Sequence, residues 1–223
     1  EMEIIGIPED LKKAISPYVD EVLDDFAVKF RLYVEQILIG ALNLYGVLTT
    51  SELKSILKDC MELEDDGSDV FDRVYSQSIT LQLQSGYGYD SDDEDLFISP
   101  LVFDFGYILE ERDKRKETAT LKPFSKEEIK EAGDMPVPTF PNPFNDRLLK
   151  VLESKLGFSE QEAYYWKYML WRLQQEEDLQ VTQIVQILMD AAGNHNRIKG
   201  IDGMNAVMQV VMGYLNHAHR WIF

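Results

Sequence analysis

The sequence predicts a mainly α-helical protein in two parts: an acidic, winged-helix-like domain of helices and a short β-hairpin, then a small helical-bundle domain. Three observations predict this class. Residues 31–57 have a helix-turn-helix pattern, and near Ser85 helical periodicity gives way to strand-like sequence. The charge of the chain also changes across a proline-rich segment.

The charge distribution indicates the domain organisation. The 223 residues carry a formal net charge of −18. Residues 31–115 contain 7 basic and 18 acidic side chains, whereas residues 145–223 contain 8 and 9. We therefore predict four segments: N-terminal helices packing on the first domain (1–30), the winged-helix-like domain (31–117), a Pro-rich linker or strap (118–144) and the helical C-terminal domain (145–223).

The N-terminal segment has apolar residues at helical spacing, with Pro8 at a plausible first helical position. A proline inside a helix removes a backbone hydrogen bond and clashes with the preceding turn. We therefore expect Pro17 to interrupt or restart the helix.

The helix-turn-helix pattern begins with a predicted helix over residues 29–45, ended by Gly46. Thr49 and Glu52 have the spacing of a capping box, in which each side chain bonds the backbone N–H of the other residue. Cys60 lies on the apolar face of the second helix. We expect it to be a small core residue rather than a nucleophile.

Ser68 or Asp69 is predicted to cap a third helix that continues to about Leu83. Its candidate buried positions are Val70, Val74, Ile79, Leu81 and Leu83. Gly86 to Tyr89 and Leu96 to Ile98 then predict two strands around an acidic turn.

A further helix is expected from Phe103 to Lys116, and a weak one at the capping box Ser125–Glu128. Four prolines between Met135 and Pro143 predict an extended joint. The second half is predicted to form four antiparallel helices, of which the first ends at Gly157 and the second begins at a capping box of Ser159 and Glu162. Its aromatic and methionine side chains are expected to form a core rather than a cofactor site.

A winged helix usually binds DNA, by placing its third helix in the major groove and its wing along the backbone. Such binding needs basic side chains to neutralise phosphates. Here the corresponding segments are acidic, so we predict a protein-interaction surface instead. Its candidate residues are Asp69, Asp72, Arg73, Asp90, Asp92, Asp93, Glu94 and Asp95.

No catalytic, cofactor-binding or metal-binding set emerges from the sequence. Both acidic loops start like an EF-hand, but Arg73 and Leu101 stand where the loop needs its final glutamate. His217 and His219 are two residues apart, so a single helix would turn them away from each other. His195 falls in a turn-rich loop, and no phosphate-binding glycine pattern is present.

The composition predicts a cytoplasmic protein without a membrane span, because no apolar run approaches roughly 20 residues. The single cysteine, Cys60, has no partner for an internal disulfide.

Two stretches carry a family resemblance: residues 43–49 (NLYGVLT) and residues 214–223 (YLNHAHRWIF). Together they resemble poorly characterised bacterial proteins, many from Firmicutes, that end in a SEC-C motif, a short cysteine-rich zinc knuckle. The resemblance implies that Trp221 marks the end of a folded body just ahead of such a knuckle. This chain has no Cys-x-Cys pair, so zinc binding is not carried over.

The resulting functional prediction is a non-catalytic protein-interaction or self-association module with an acidic surface. Its partner would be another protein, for which a basic one is suited, or a second copy. The alternatives are a transcription-regulator-like DNA binder, with nucleic acid the less favoured partner, and an enzyme with a site between the domains.

Overall fold

A computed structural model describes residues 9–91, 94–102, 104–116, 122–134, 140–176 and 180–221. These residues form a mainly helical protein with a small antiparallel sheet, as the sequence predicts at this coarse level. The chain divides into two compact units. Unit 1 comprises Glu1–Asn43, Leu48–Ser99 and Phe124–Pro136, and unit 2 comprises Leu44–Val47, Pro100–Pro123 and Val137–Phe223.

Unit 1 contains most of the first half of the chain and one later helix. Its elements are α1 (Glu9–Asp24), α2 (Phe26–Tyr45), β1 (Val47–Thr49), α3 (Thr50–Met61), α4 (Ser68–Gln77), α5 (Ile79–Gln84), β2 (Ser85–Ser91), β3 (Glu94–Ile98) and α7 (Lys126–Asp134). The last two residues of α2 and the first of β1 are grouped with unit 2.

The first helix differs from its prediction, because α1 runs through Pro17 without a break. The expected interruption at Pro17 is wrong. The chain breaks instead at Asp25, whose Oδ1 accepts hydrogen bonds from the backbone N–H groups of Ala27 (2.7 Å) and Val28 (3.2 Å). Asp25 thus satisfies two of the free N–H groups at the start of α2.

A close helix–helix contact forms the middle of unit 1. A Cβ added at Gly40 of α2 would overlap the carbonyl oxygen of Ile129 in α7, and one added at Gly133 would overlap the carbonyl oxygen of Gln36. Asn43, which is buried, donates from Nδ2 to the carbonyl oxygen of Ala132 at 3.0 Å. The two backbones touch because neither glycine has a side chain.

The capping box predicted at Thr49 is present. The Glu52 N–H donates to Thr49 Oγ1 at 3.2 Å, and Thr49 N–H donates to Glu52 Oε2 at 2.8 Å. Gly46 has φ +74°, which confirms the predicted left-handed residue at the end of α2.

The predicted third helix is divided into α4 and α5 at Ser78, whose Oγ accepts from the Leu81 N–H at 3.2 Å. Gly67, not Ser68 or Asp69, is the residue before α4. Leu81 is buried, but Ile79 and Leu83 are exposed, so these two predicted core positions are wrong.

The small sheet has the strand order β1-β3-β2. β2 and β3 pair antiparallel, with Ser85 opposite Phe97 and Gly86 opposite Leu96, so the predicted strands are present. Phe97 is buried against Phe71 and Tyr75 of α4, with ring centroids 5.7 and 5.5 Å apart.

Unit 2 contains the helical second half. Its elements are α6 (Phe105–Arg115), α8 (Asn145–Leu156), α9 (Glu160–Glu176), α10 (Val181–Ala192), a 3-10 turn (Gly193–His195) and α11 (Gly200–His217). α8 packs against α9, α10 and α11. Its end at Gly157, in the left-handed conformation, and the capping box of Ser159 with Glu162 follow the prediction.

The C-terminal residues of unit 2 are held to its other segments by hydrogen bonds to backbone. The Arg112 guanidinium donates to the carbonyl oxygens of Tyr45, Val47 (2.7 Å) and Trp221 (2.7 and 2.9 Å). Trp221 is 1% exposed, and its ring lies against Gly46. Parts of both stretches that carry the family resemblance therefore meet here.

Candidate interaction surface

The predicted interaction residues on α4 are exposed to solvent. Asp69, Asp72 and Arg73 all lie on the outside of this helix. Asp72 forms an ion pair with Lys54 of α3, with 3.4 Å between Oδ1 and Nζ. An exposed ion pair of this kind contributes on the order of 0–1 kcal/mol, so these charges remain usable for a partner.

The other predicted interaction residues belong to the hairpin. Asp90 is in β2, and Glu94 and Asp95 begin β3. Asp92 and Asp93 lie outside the described residues. The exposed Asp95 is tied to α3 through its backbone, because its carbonyl oxygen accepts from Thr50 Oγ1 at 3.2 Å.

A polar cleft of about 620 Å³ lies along α3, at the place where α4 and β3 meet it. Sequence reasoning missed it, because its residues come from three separate elements. It is lined by four hydroxyl side chains (Thr50, Ser51, Ser55, Ser68), two lysines (Lys54, Lys58) and two acidic residues (Asp66, Asp95).

Two charged side chains in this cleft, Lys54 and Asp66, already interact with neighbouring residues. Lys54 Nζ lies 5.3 Å from the ring centroid of Phe71, in addition to its ion pair with Asp72. Hydrogen bonds from the Ser68 backbone and side chain lower the pKa of the Asp66 carboxyl group, so it is held as a carboxylate. The cleft therefore combines two cations and several hydroxyl donors with a fixed negative charge.

Helix α1 presents an extended apolar face on the outside of unit 1. Every side chain described on this helix is exposed, although the sequence predicts packing of residues 1–30 on the first domain. Six large apolar side chains follow helical spacing on one face, and we call this set the α1 stripe: Leu11, Ile15, Tyr18, Val19, Val22 and Leu23.

Charged residues occupy the rest of α1 and make it amphipathic. Lys12 is paired with Glu9 at 2.8 Å, and Lys29 of α2 is paired with Asp24 at 3.0 Å. Phe26, at the start of α2, extends the stripe and is 82% exposed. A monomeric protein rarely leaves a contiguous apolar face of this kind uncovered, so the α1 stripe is the strongest candidate for a binding surface.

The low intrinsic stability of α1 as an isolated helix also argues for a partner that covers it. A helix of 16 residues without tertiary contacts is marginal in water, and an interior proline costs about 3 kcal/mol more. Since no described side chain of α1 is buried, α1 needs a contact surface to persist as a helix.

The residues with potential chemistry are dispersed. Cys60 is 4% exposed, and burial raises the pKa of its thiol, so the prediction of a core cysteine is confirmed. His217 is exposed at the end of α11, and its Nδ1 lies 2.8 Å from the carbonyl oxygen of Gly213. His195 lies in the 3-10 turn.

The fold lowers the pKa of His219. Its Nε2 donates to the carbonyl oxygen of Leu44 at 2.5 Å. Burial, followed by the positive charges of Lys122 and Arg112, lowers its pKa to about 4, against the bond to Leu44. The ring is therefore neutral at physiological pH and serves as a hydrogen-bond donor to the end of α2.

Among the described residues, no group of three or more histidine, cysteine, aspartate or glutamate side chains is arranged to hold a metal ion. The search for membrane spans over the same part of the chain found no helix of sufficient length and apolar character. Comparison with protein-family models, with curated proteins and with solved structures gave no match.

Proposed function

We propose that this chain is a non-catalytic protein-interaction module that binds through the apolar stripe of α1. The observation that carries the proposal is the exposure of all six stripe side chains on a helix that buries none of its described residues. The acidic α4 and hairpin surface of the same unit would favour partners with basic groups beside their apolar contact. The proposal includes a cytoplasmic location.

A winged-helix-like arrangement of unit 1 is part of this proposal. Apart from the short helix α5 between α4 and β2, the element order α2, β1, α3, α4, β2, β3 with the strand order β1-β3-β2 is the order typical of winged helices. The relationship to proteins with a SEC-C motif remains a resemblance.

The test is a capture experiment with the full chain in the native cell extract. The wild-type chain is compared with an Ile15→Ser/Val22→Ser variant, which makes the stripe polar. An Ile79→Ser/Leu83→Ser variant is the control, because it replaces two exposed apolar side chains of unit 1 outside the stripe with the same two serines.

The proposal expects proteins, including a differently tagged copy of the chain, that bind wild type and control but not the stripe variant. A set of bound proteins that is identical for all three chains would contradict it. Equal reactivity of the buried Cys60 with a thiol reagent verifies that unit 1 is equally folded in the three chains.

A second candidate function is DNA binding by the winged-helix-like domain, and the cleft along α3 favours it. Lys54, Lys58 and the four hydroxyl groups are donors that could contact a phosphate backbone. The exposed acids Asp69 and Asp72 on α4 oppose it, since they would face the negatively charged duplex.

A mobility-shift titration at several salt concentrations tests this second function. If it holds, Lys54→Gln/Lys58→Gln weakens binding of any duplex about equally and reduces the salt slope by about 2, near one for each phosphate contact. Absence of duplex binding by the wild-type chain at low salt rules it out.

A further inference from the structure

We infer that the occupant of the α1 stripe is the same stripe of a second copy, so that two α1 helices pair antiparallel in a homodimer. This inference rests on the proposed function and specifies its partner. Three properties of α1 carry it: the apolar area it exposes, the uneven charge along it, and the centred position of its stripe.

The exposed area is sufficient for a dimer. At the observed exposures, which run from 39% for Ile15 to 82% for Phe26, the stripe and Phe26 present roughly 700 Å² of side-chain surface. Complete burial of this surface in both copies would remove at most roughly 1,400 Å² from water, which reaches the range of about 1,200–2,000 Å² for stable interfaces.

The charge distribution along α1 favours an antiparallel arrangement of two α1 helices. Its first turns are neutral, because Glu9 and Asp10 offset Lys12 and Lys13, whereas Glu21, Asp24 and the following Asp25 make its other end acidic. A parallel pair would bring two acidic ends together. An antiparallel pair separates the acidic ends, places the lysines of each copy beside the acids of the other, and opposes the two helix dipoles.

The stripe is nearly symmetric about its middle, so an antiparallel pair places apolar side chains opposite apolar side chains. Tyr18 and Val19 lie at its centre, and Ile15 and Val22 lie at equal distances on either side. In an antiparallel pair centred there, Ile15 of one copy faces Val22 of the other. Such an isologous contact uses one surface twice and closes at two subunits.

The first measurement is the mass of the full chain in a dilution series by analytical ultracentrifugation. Wild type is expected at twice 25.8 kDa at high concentration and at 25.8 kDa after dilution. The Ile15→Ser/Val22→Ser variant removes four apolar side chains per dimer, which weakens self-association at least about a hundredfold. The Ile79→Ser/Leu83→Ser control retains the dimer, because both exposed side chains lie outside the stripe.

The second measurement determines the direction of the helices by oxidative cross-linking. Chains with Ile15→Cys and with Val22→Cys are expected to form a disulfide-linked dimer when mixed, and little when each is oxidised alone. The wild-type chain controls for Cys60, which is buried. A cross-link in Val22→Cys alone, or none in the mixture, overturns the antiparallel arrangement.

The outcomes separate this inference from the proposed function. A monomeric wild-type chain, or a stripe variant that dimerises like wild type, overturns the dimer. If the chain is monomeric but loses a captured protein when the stripe is made polar, the dimer is wrong and the interaction function stands. A stripe variant that behaves like wild type in both assays overturns both.

Discussion

Helices α1 and α2 follow each other in the chain, yet one is exposed throughout and the other is largely buried. α2 begins with exposed residues and becomes fully buried from Gly40 to Tyr45. In α1 the apolar residues alternate with charges and form a single face, whereas in the second half of α2 they surround the helix.

The difference shows what each apolar pattern requires. A helix that is apolar all round must be enclosed by its own protein, and α2 is enclosed with the help of Gly40, which lets α7 approach. An amphipathic helix needs only one covering surface, which another molecule can supply. α2 is covered by other segments of its own chain, and we propose that α1 is covered by a second copy of the chain.

Among glycine substitutions, the largest effect is expected from breaking the α2–α7 contact. In Gly40→Ala the new Cβ would overlap the Ile129 carbonyl oxygen, so the helices must separate. We expect a loss of about 3 kcal/mol in unfolding free energy, more than the gain of about 1 kcal/mol in helix propensity. Cys60 is the only cysteine and is buried in unit 1, so its reaction rate with a thiol reagent measures the opening of that unit.

Gly106→Ala in α6 is the matched control for this substitution. A Cβ there meets only Asp104 Oδ1, at 3.4 Å, which is ordinary contact. Equal thiol reactivity in both variants and wild type would show that Gly40 is not a close contact.

The second largest effect is expected at the end of α2. Gly46→Ala would place a side chain at φ +74° and a Cβ 2.8 Å from the Trp221 ring. Left-handed backbone alone costs roughly 1–2 kcal/mol for a residue with a Cβ, so we expect a total loss of about 2–3 kcal/mol.

Tryptophan fluorescence monitored during urea unfolding measures this loss in unit 2, because Trp166, Trp171 and Trp221 all lie there. Ala substitution at Gly193, where the structure has no atom within 4 Å of the new Cβ, is the control. It shares the positive φ but not the contact with Trp221. If both variants lose the same stability, the Trp221 contact contributes nothing.

Local signals explain what the sequence predicts well. Capping boxes at Thr49 and Ser159 and the glycines after α2 and α8 act within one turn, so they could be identified without tertiary structure. Contacts between distant segments could not. The polar cleft joins α3 to α4 and β3, and Arg112 bonds two segments more than 60 residues away.

The two errors in helix prediction have a common cause. Residue type alone predicts that Pro17 breaks α1 and that a helix continues through Ser78. In the structure the side chain of Asp25 starts α2, and that of Ser78 starts α5. The sequence also could not predict that the α1 stripe is exposed. Amphipathic periodicity indicates that one face of a helix is buried, but not whether the same chain or another molecule covers it.

A smaller effect is expected from pH at His219, which bonds the carbonyl oxygen of Leu44 at the end of α2. Folding lowers its pKa to about 4 from an ordinary 6.5, so the unfolded chain binds the proton more tightly. The stabilisation is fully present above about pH 6.5 and is lost as pH falls toward 4. Between pH 7 and pH 5 we expect His219 to account for a loss of roughly 1–2 kcal/mol.

Urea unfolding of wild type and His219→Gln at both pH values, monitored by tryptophan fluorescence, isolates this contribution. Other groups titrate in both chains, so the difference between their pH dependences belongs to His219. The variant should lose less stability than wild type on acidification. The same pH dependence in both chains would show that His219 titrates normally in the folded state.

The smallest effect is expected in the exposed helix α1. The same Leu→Ala substitution can be made in α1 and in α2 to compare them. Leu38→Ala in α2 empties a fully buried position and should cost about 2–5 kcal/mol. Leu23→Ala in α1 removes a side chain that is 43% exposed and should change the unfolding free energy of dilute, monomeric protein by less than about 0.5 kcal/mol. As protein concentration rises, the cost of Leu23→Ala should grow while that of Leu38→Ala stays constant, because only Leu23 gains contacts on dimerisation. A large, concentration-independent loss for Leu23→Ala would mean that α1 is covered within its own chain.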